Sequence, residues 1–132
     1  GPCLAKRHEA DSVDEVDYVM SFEELGAFMV AYDIDVANCS EKELNHEVTK
    51  YGRGFAQAGG VQAAVVNAIG DKYSNIHIEG LDKKNQALLK SMAKKPDAQF
   101  VEVMACDGGC INGPCSLAPL TLAKRQIKKV LE

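Results

Sequence analysis

Short β-prone runs alternate with helix-forming stretches along this chain of 132 residues, and this alternation limits the fold most strongly. Residues 16–20, 76–78 and 100–104 are rich in β-branched and other apolar residues, which favours strands. The stretches between them carry apolar residues at helical spacing. Strands separated by helices predict a parallel sheet, because parallel neighbours need a long crossover connection. We therefore expect an α/β fold with a parallel sheet of three to four strands and helices on both faces.

Helix-capping patterns locate the helices between these runs. Ser21 followed by Glu24 is a capping box and predicts the start of a helix. Ser40 and Glu43 repeat the pattern and predict a short helix through Leu44 and Val48, with His46 on its solvated face. Further helices are expected at residues 61–69, about 82–94 and about 121–131. Loops are expected at the glycine-rich residues 51–60 and at residues 107–119.

Composition and charge exclude several classes of protein. Hydrophobic residues make up 46% and charged residues 26%, which argues against global disorder. The net charge of −4 is the opposite of the basic footprint of a nucleic-acid-binding protein. The longest uncharged run, residues 54–70, contains Gln57, Gln62 and Asn67 together with glycines, a composition that disfavours a membrane helix. We expect a protein with no nucleic-acid partner and no membrane span.

The spacing of the cysteines points to metal or redox chemistry. Cys106, Cys110 and Cys115 are three of only five cysteines, and an odd number argues against a disulfide scaffold. Thiols that cluster in this way are typical of proteins in a reducing compartment, so we expect a cytoplasmic location. Cys39, which follows a short apolar connector, is expected to be a buried and inert thiol. His77, inside a strand, is expected to be exposed or satisfied rather than a ligand.

The segment from Cys106 to Cys110 follows the last predicted strand, where functional groups of α/β folds gather. Its two thiols flank Gly108 and Gly109, which let a backbone approach a metal cluster and aim N–H groups at its sulfides. Thiolates are soft ligands that select iron–sulfur clusters, zinc or copper(I). The alternative is two metal-free cysteines in a turn whose glycines serve only the backbone geometry.

Three motifs occur in a fixed order along the chain. They are Pro2-Cys3-Leu4-Ala5-Lys6-Arg7-His8-Glu9, Gly59-Gly60-Val61, and the run from Phe100 to Cys110 that reads F-V-E-V-M-A-C-D-G-G-C. Together they resemble the catalytic domain of the FeFe (iron-only) hydrogenase large subunit, whose patterns are P-C-x-x-K-x-x-E, G-G-V-x-x-A and F-x-E-x-M-A-C-x-G-G-C. The resemblance covers essentially the whole chain. It implies a single domain over residues 1–132, one Rossmann-like C-terminal lobe of the iron hydrogenase fold.

The resemblance also implies a set of cofactor ligands. In that family a 4Fe-4S cluster held by four cysteines is joined to a di-iron centre with CO and CN ligands, and the two together form the H-cluster. Cys3 and Cys106 match cluster ligands, and Cys110 matches the ligand that bridges to the di-iron centre. Gly108 and Gly109 match the glycines between these ligands.

Two further residues match positions near the di-iron centre. The resemblance implies that these two residues and Cys110 are catalytic. Lys6 matches a lysine that hydrogen-bonds a cyanide, a charge-assisted contact. Met104 matches a methionine packed beside the di-iron centre. The implied reaction of the intact parent protein is the reversible reduction of protons to dihydrogen, with a ferredoxin-like electron donor or acceptor as partner.

The chain departs from the family pattern in two places. The T-S-C-C-P motif, which carries the fourth cluster cysteine and the proton-relay cysteine, is absent from the sequence. We therefore expect a fragment that lacks its N-terminal lobe, an interpretation that the Gly1-Pro2 start also favours. Such a fragment is expected to hold neither the cluster nor the di-iron centre and to be inactive. The residues after Cys110 differ from the family pattern and include Pro114-Cys115, so Cys115 has no counterpart in that pattern. It is expected to be either a metal-free thiol or a stand-in ligand.

Two other functions compete with the catalytic one. A sensory relative would keep the iron–sulfur cluster as a redox or hydrogen sensor and signal to an attached domain. Gly1, where most family members have methionine, and the altered residues after Cys110 favour this alternative. A structural zinc site or a metal-free thiol domain is the third possibility.

Overall fold

The computed structural model describes residues 1–43 and 48–132, and these residues fall into two compact units. Unit 1 comprises Gly1–Glu47 and Gly113–Leu117, and unit 2 comprises Val48–Asn112 and Ala118–Glu132. The short helix expected through Leu44, with His46 on it, lies outside the described residues at 44–47. Residues 40–43, where that helix was expected to begin, and Val48, through which it was expected to run, are not helical.

Unit 1 contains two α-helices and a 3₁₀ turn within its described residues. They are α1 (Ala5–Ala10), α2 (Phe22–Ala31) and the turn Val36–Asn38. The predicted capping box at the start of α2 is confirmed. The N–H of Glu24 donates to the Ser21 hydroxyl at 3.2 Å, and the N–H of Ser21 donates to the Glu24 carboxylate at 2.7 Å. These two bonds satisfy backbone donors that the first turn of a helix leaves without intrahelical partners.

The strand predicted at residues 16–20 does not form. A β-prone run becomes a strand only when a second segment pairs with its backbone N–H and C=O groups. The one sheet among the described residues is built from two other segments, so this run has no ladder partner there. The expected sheet of three to four strands therefore has two strands in the part of the chain that the structure describes.

Unit 2 has the alternating order of strands and helices that the sequence predicts. Its regular elements are α3 (Lys50–Gly54), α4 (Gly60–Ile69), β1 (Asn75–Glu79), α5 (Lys83–Met92), β2 (Phe100–Met104), a 3₁₀ turn (Cys110–Asn112) and α6 (Leu120–Leu131). The helices expected at 61–69, 82–94 and 121–131 are confirmed within a few residues at each end. The Asp82 carboxylate accepts the N–H of Asn85 at 2.7 Å and caps α5.

The two strands pair in parallel, as predicted. The register runs from Asn75 opposite Phe100 to Glu79 opposite Met104, so the carboxyl ends of β1 and β2 lie side by side. With helices packed on this parallel sheet, the fold belongs to the predicted α/β class.

Side chains on the two faces of the sheet differ in character. On one face, β1 contributes the buried Ile78 to a small core, against which partly buried Leu89 of α5 packs. Met92 and Ala98 complete the buried part of this core. The other face meets the start of α4 through polar side chains. Helices thus cover both faces, as the alternating pattern predicts.

The segment predicted as a loop over residues 51–60 is helical in its first half. The Thr49 hydroxyl accepts the N–H of Gly52 at 3.1 Å and caps α3, which overrides the low helix propensity of the glycines. The close contact of α3 with α4 also requires a glycine at position 60. A Cβ there would lie 1.9 Å from the carbonyl oxygen of Gly54.

No helix among the described residues combines the length and the apolar character needed to cross a bilayer.

Candidate functional site

The candidate site in unit 2 is the loop that leaves the carboxyl end of β2, residues 106–110, here called the thiol loop. Its two thiols, Cys106 and Cys110, are half-buried, and none of the five cysteines forms a disulfide. Met104, the last residue of β2, is half-buried as well. The structure therefore brings these three predicted site residues together on one strand end and the loop that follows it.

Both glycines of the thiol loop are required by its geometry. Gly108 and Gly109 are buried, with φ of +82° and +84°, a region that favours glycine. A Cβ on Gly109 would lie 2.4 Å from the backbone nitrogen of Ala58. A Cβ on Gly108 would lie 2.7 Å from a methyl carbon of Leu120. The loop is thus enclosed between the turn before α4 and the start of α6.

Two backbone hydrogen bonds join the thiol loop region to that turn. The N–H of Ala58 donates to the carbonyl of Gly108 at 3.3 Å. The N–H of Ile111 donates to the carbonyl of Ala56 at 3.0 Å. Because these bonds involve backbone atoms alone, they fix the course of the loop between its two thiols independently of the side chains.

The N–H groups of the two glycines have acceptors within the chain. Gly108 donates to the carboxylate of Glu79 at 2.7 Å, and Gly109 donates to the carbonyl of Cys106 at 3.1 Å. The sequence suggested that these N–H groups are aimed at the sulfides of a cluster. In the structure the two N–H groups have these acceptors within the chain, and positive φ and the absence of a Cβ let the loop turn; a role of the glycines at a cluster stays a prediction.

A buried carboxylate supports the turn from the sheet side. Glu102, in the middle of β2, is only 5% exposed and accepts the N–H groups of Gly59 at 3.0 Å and of Gln62 at 2.7 Å. A negative charge at these amides suits the positive end of the α4 dipole. Glu102 therefore holds the start of α4 against β2, and with it the turn on which the thiol loop rests.

Sequence reasoning did not single out Glu102 or Glu79 for a role. For Glu102 a signal existed, because a charged residue in an otherwise apolar strand needs a partner when it is buried. For Glu79 no sequence signal was present, since a charged residue at the end of a strand is ordinary. His77 lies on the same face, opposite Glu102 in the register, is exposed, and bonds to the Gln62 side chain at 2.9 Å. The prediction that it is exposed or satisfied is confirmed.

The predicted site residues of unit 1 lie at the start of α1. Cys3 is half-buried and precedes the helix, and Lys6 lies in its first turn. The Lys6 ammonium is 2.5 Å from the carboxylate of Glu9, and both side chains are 58% exposed. The N–H of Cys115 donates to the carbonyl of Pro2 at 3.1 Å, which places the extra cysteine beside the residue that precedes Cys3.

One expectation about a cysteine is wrong. Cys39 is exposed rather than buried, and its thiol donates to the carbonyl of Asp35 at 3.2 Å. The connector before it forms a 3₁₀ turn on the surface instead of a core segment, because its apolar residues find no buried position there.

The site residues predicted from the sequence divide between the two units. Unit 1 holds Cys3 and Lys6, and unit 2 holds Met104, Cys106, Gly108, Gly109 and Cys110. The convergence of Cys3 with the other two thiols stays a prediction. Across residues 1–43 and 48–132, no three His, Cys, Asp or Glu side chains are grouped so as to hold a metal ion.

The donor chemistry of the thiol loop fits an iron–sulfur cluster. Thiolates are the ligands of such clusters, and two half-buried thiols on one backbone-fixed loop are a suitable partial set. A Cβ on Gly108 or Gly109 would clash with neighbouring atoms, so the backbone between the two thiols can take this course only with glycines there.

Comparison with known proteins identifies the chain's relatives. Residues 1–114 match the family model described as iron only hydrogenase large subunit, C-terminal domain. Iron hydrogenase 1 of Clostridium pasteurianum is 36% identical over 73 residues. That match covers 54% of this chain and 13% of the relative, so the chain spans a small part of the length of this relative.

Proposed function

We propose that this chain, which belongs to the family of the iron only hydrogenase large subunit, C-terminal domain, is an H-cluster-binding lobe of a hydrogenase-type protein. The observation that carries the proposal is the thiol loop. Its two half-buried thiols follow the carboxyl end of a parallel strand, and backbone contacts fix the loop between them. Two buried glycines at positive φ give the loop between the thiols its close contact with the turn before α4.

Three thiols of the chain would hold the cofactor. Cys3 and Cys106 would be ligands of a 4Fe-4S cluster, and Cys110 would bridge the cluster to a di-iron centre. When bound, the group supplies the electron transfer and the reversible reduction of protons to dihydrogen in the intact parent protein. The part of this chain is to present thiolates on a loop whose backbone is already ordered.

Two side chains would complete the surroundings of the cofactor. Lys6 would provide a cationic donor for an anionic ligand of the di-iron centre; in the structure its ammonium lies 2.5 Å from the Glu9 carboxylate. Met104, half-buried at the end of β2, would give a polarisable apolar contact next to the thiol loop.

The chain would act together with other parts of a larger protein. The fourth cluster cysteine would come from an N-terminal lobe of the same domain, and electrons from a ferredoxin-like donor or acceptor. Reduced thiols favour the cytoplasm as the location. Three thiols without the second lobe would bind the cluster weakly, so we expect the chain by itself to evolve no dihydrogen. Robust dihydrogen production from protons and a reductant by the isolated chain would contradict this expectation.

Anaerobic reconstitution with iron and sulfide tests the assignment of the ligands. With iron and sulfide in excess, which offsets the weak binding expected of three thiols, the wild-type chain should take up both and show broad visible absorption. Cys106→Ser and Cys110→Ser should each lose most of this absorption, and Cys3→Ser should lose a part of it. Cys39→Ser is the matched control, because Cys39 is an exposed thiol of the same chain and should have no effect. A colourless product that contains zinc would contradict the proposal.

A second candidate function is an iron–sulfur sensor within a sensory hydrogenase-like protein, in which an attached sensory domain would be the partner. It is favoured by the residues after Cys110, which end in Pro114-Cys115 where the family commonly has x-x-G-G-G-x-P. Cys115→Ser distinguishes a ligand from a metal-free thiol. A loss of cluster absorption in this variant would mean that the extra cysteine binds iron, and unchanged absorption would mean that it does not.

A further inference from the structure

Glu79 connects the end of β1 to the thiol loop. It is the last residue of the strand and half-buried, and its carboxylate accepts the N–H of Gly108 at 2.7 Å. The parallel register places it opposite Met104, the residue from which the chain enters the thiol loop. The contact therefore links the end of β1 to the thiol loop, which follows the end of the neighbouring strand β2.

The peptide groups on both sides of Gly108 are held in place. Its N–H is bound by Glu79, and its carbonyl accepts the N–H of Ala58 at 3.3 Å. Hydrogen bonds to an ionised acceptor are shorter and stronger than bonds between neutral groups. Removing Glu79 would leave the buried N–H of Gly108 without this acceptor.

We propose that Glu79 is a positioning residue for the thiol loop, holding the Gly108 N–H so that the loop keeps its course and this N–H does not donate to sulfur. The inference rests on the proposed function of the loop. Reduction potentials of iron–sulfur clusters depend on hydrogen bonds to sulfur and on nearby charge. A carboxylate that both withholds an N–H and adds negative charge would keep the potential of a bound cluster low.

The surroundings of Glu79 strengthen the electrostatic part of this role. Glu79 and Gly108 line a cavity of about 310 Å³ together with Lys124 and Lys128 of α6. Replacing Glu79 by a neutral residue would leave two lysines beside the thiol loop without the carboxylate. The lost charge and the released N–H would then shift the potential in the same direction, towards more positive values.

Hydrogen exchange at the Gly108 N–H of the iron-free chain, followed by NMR, tests the positioning role. Glu79→Ala should speed exchange at Gly108 about tenfold to a hundredfold, because a bond to a charged acceptor is lost. Glu79→Gln keeps an acceptor oxygen and should cause a smaller change. Asp71→Ala removes an exposed carboxylate before the amino end of β1 and should have no effect. The N–H of Ala63, inside α4, is the internal reference for global unfolding.

An unchanged rate at Gly108 in Glu79→Ala would overturn the positioning role. So would an acceleration at Gly108 no greater than that at Ala63, since the whole fold and not the loop would then have been loosened.

The midpoint potential of the reconstituted protein, measured by EPR-monitored redox titration, tests the second half of the proposal. Glu79→Ala should have a more positive potential than the wild type, and Glu79→Gln should lie between the two. An unchanged or more negative potential in Glu79→Ala would overturn the claim that Glu79 withholds an N–H from sulfur. A wild-type chain that takes up no cluster would count against the proposed function, and hydrogen exchange would still decide whether Glu79 positions the loop.

Discussion

The two motif segments of this chain are built in different ways. The thiol loop of unit 2 is fixed by backbone hydrogen bonds, buried glycines and the carboxylates of Glu79 and Glu102. The segment around Cys3 and Lys6 in unit 1 lies on a six-residue helix without buried residues. Its side-chain contacts are ion pairs between half-exposed or exposed side chains, such as Lys6 with Glu9 and Arg7 with Glu24, beside backbone hydrogen bonds such as that from Cys115 to Pro2.

The contrast separates an element that the fold itself orders from one that relies on exposed charges. Steric contacts and buried hydrogen bonds persist at any ionic strength, whereas exposed ion pairs contribute little and are screened by salt. The thiol loop is therefore preorganised by its own unit. The Cys3 segment depends on charges, and its order should vary with pH. Four experiments test this contrast.

The largest effect is expected from Gly109→Ala. A methyl group at this position would overlap the backbone of the turn at Ala58, with the nearest atom 2.4 Å away and φ at +84°. We expect a loss of about 2–5 kcal/mol in the unfolding free energy of unit 2, measured by urea denaturation. Gly80→Ala is the control, since its φ is +74° but its Cβ would make only an ordinary 3.9 Å contact. Equal losses in the two variants would show that steric enclosure of the loop is unimportant.

A smaller loss is expected from Glu102→Ala. This change leaves the N–H groups of Gly59 and Gln62 without their buried acceptor, which should cost about 2–4 kcal/mol of unfolding free energy. Glu102→Gln keeps one acceptor oxygen and should lose about half as much. Urea denaturation of both variants is the measurement. A loss below about 0.5 kcal/mol for the alanine variant would place Glu102 among ordinary surface residues.

Acid should affect unit 1 through Glu24. The pKa of Glu24 is lowered from 4.5 to about 2, chiefly by the backbone N–H of Ser21 and then by the side chains of Arg7 and Ser21. A lowered pKa in the folded state means that the charged form stabilises the fold. This stabilisation is complete above about pH 4.5 and is lost as the pH falls towards about 2.

NMR signals of α2 residues between pH 6 and pH 2 measure this loss, and Glu24→Gln should remove the part of the pH dependence that comes from position 24. An acid transition of α2 that is identical in Glu24→Gln would mean that other carboxylates control it.

The smallest effect, and a stabilising one, is expected from Gly26→Ala. Gly26 lies in the interior of α2, and a Cβ there would meet no atom within 4 Å. Replacing an exposed glycine inside a helix by alanine should raise stability by about 0.5–1 kcal/mol. Thermal unfolding followed by circular dichroism at the helix band is the measurement. Destabilisation would show that the exposed face of α2 tolerates less change than the open space around Gly26 indicates.

Much of unit 2 could be predicted from the sequence because its signals are local. The run from Phe100 to Met104, the cap at Asp82 and the apolar helix after Gly60 each specify their element within a few residues. The helix α3 was missed because a single hydroxyl, that of Thr49, decides whether a glycine-rich segment begins as a helix.

Non-local features could not be predicted in the same way. Residues 16–20 have strand propensity, but strand formation depends on a partner that no local pattern reveals. The two cysteines of the thiol loop were identified by spacing, whereas Glu79, which binds the loop 29 positions further on, was not. Hydrogen bonds between distant side chains and backbone leave no periodic trace in the sequence.

The parallel pairing of β1 and β2 has a consequence for the kinetics of folding. Paired residues such as Asn75 and Phe100 are far apart along the chain, with all of α5 between them. Hydrogen bonds between β1 and β2 can therefore form only after the segment between the strands has brought their ends together. Early formation of the helix α5 would shorten that segment and so speed the pairing of the strands. The rate at which the unit reaches its native state should accordingly depend more on the helicity of residues 83–92 than on the thiols themselves.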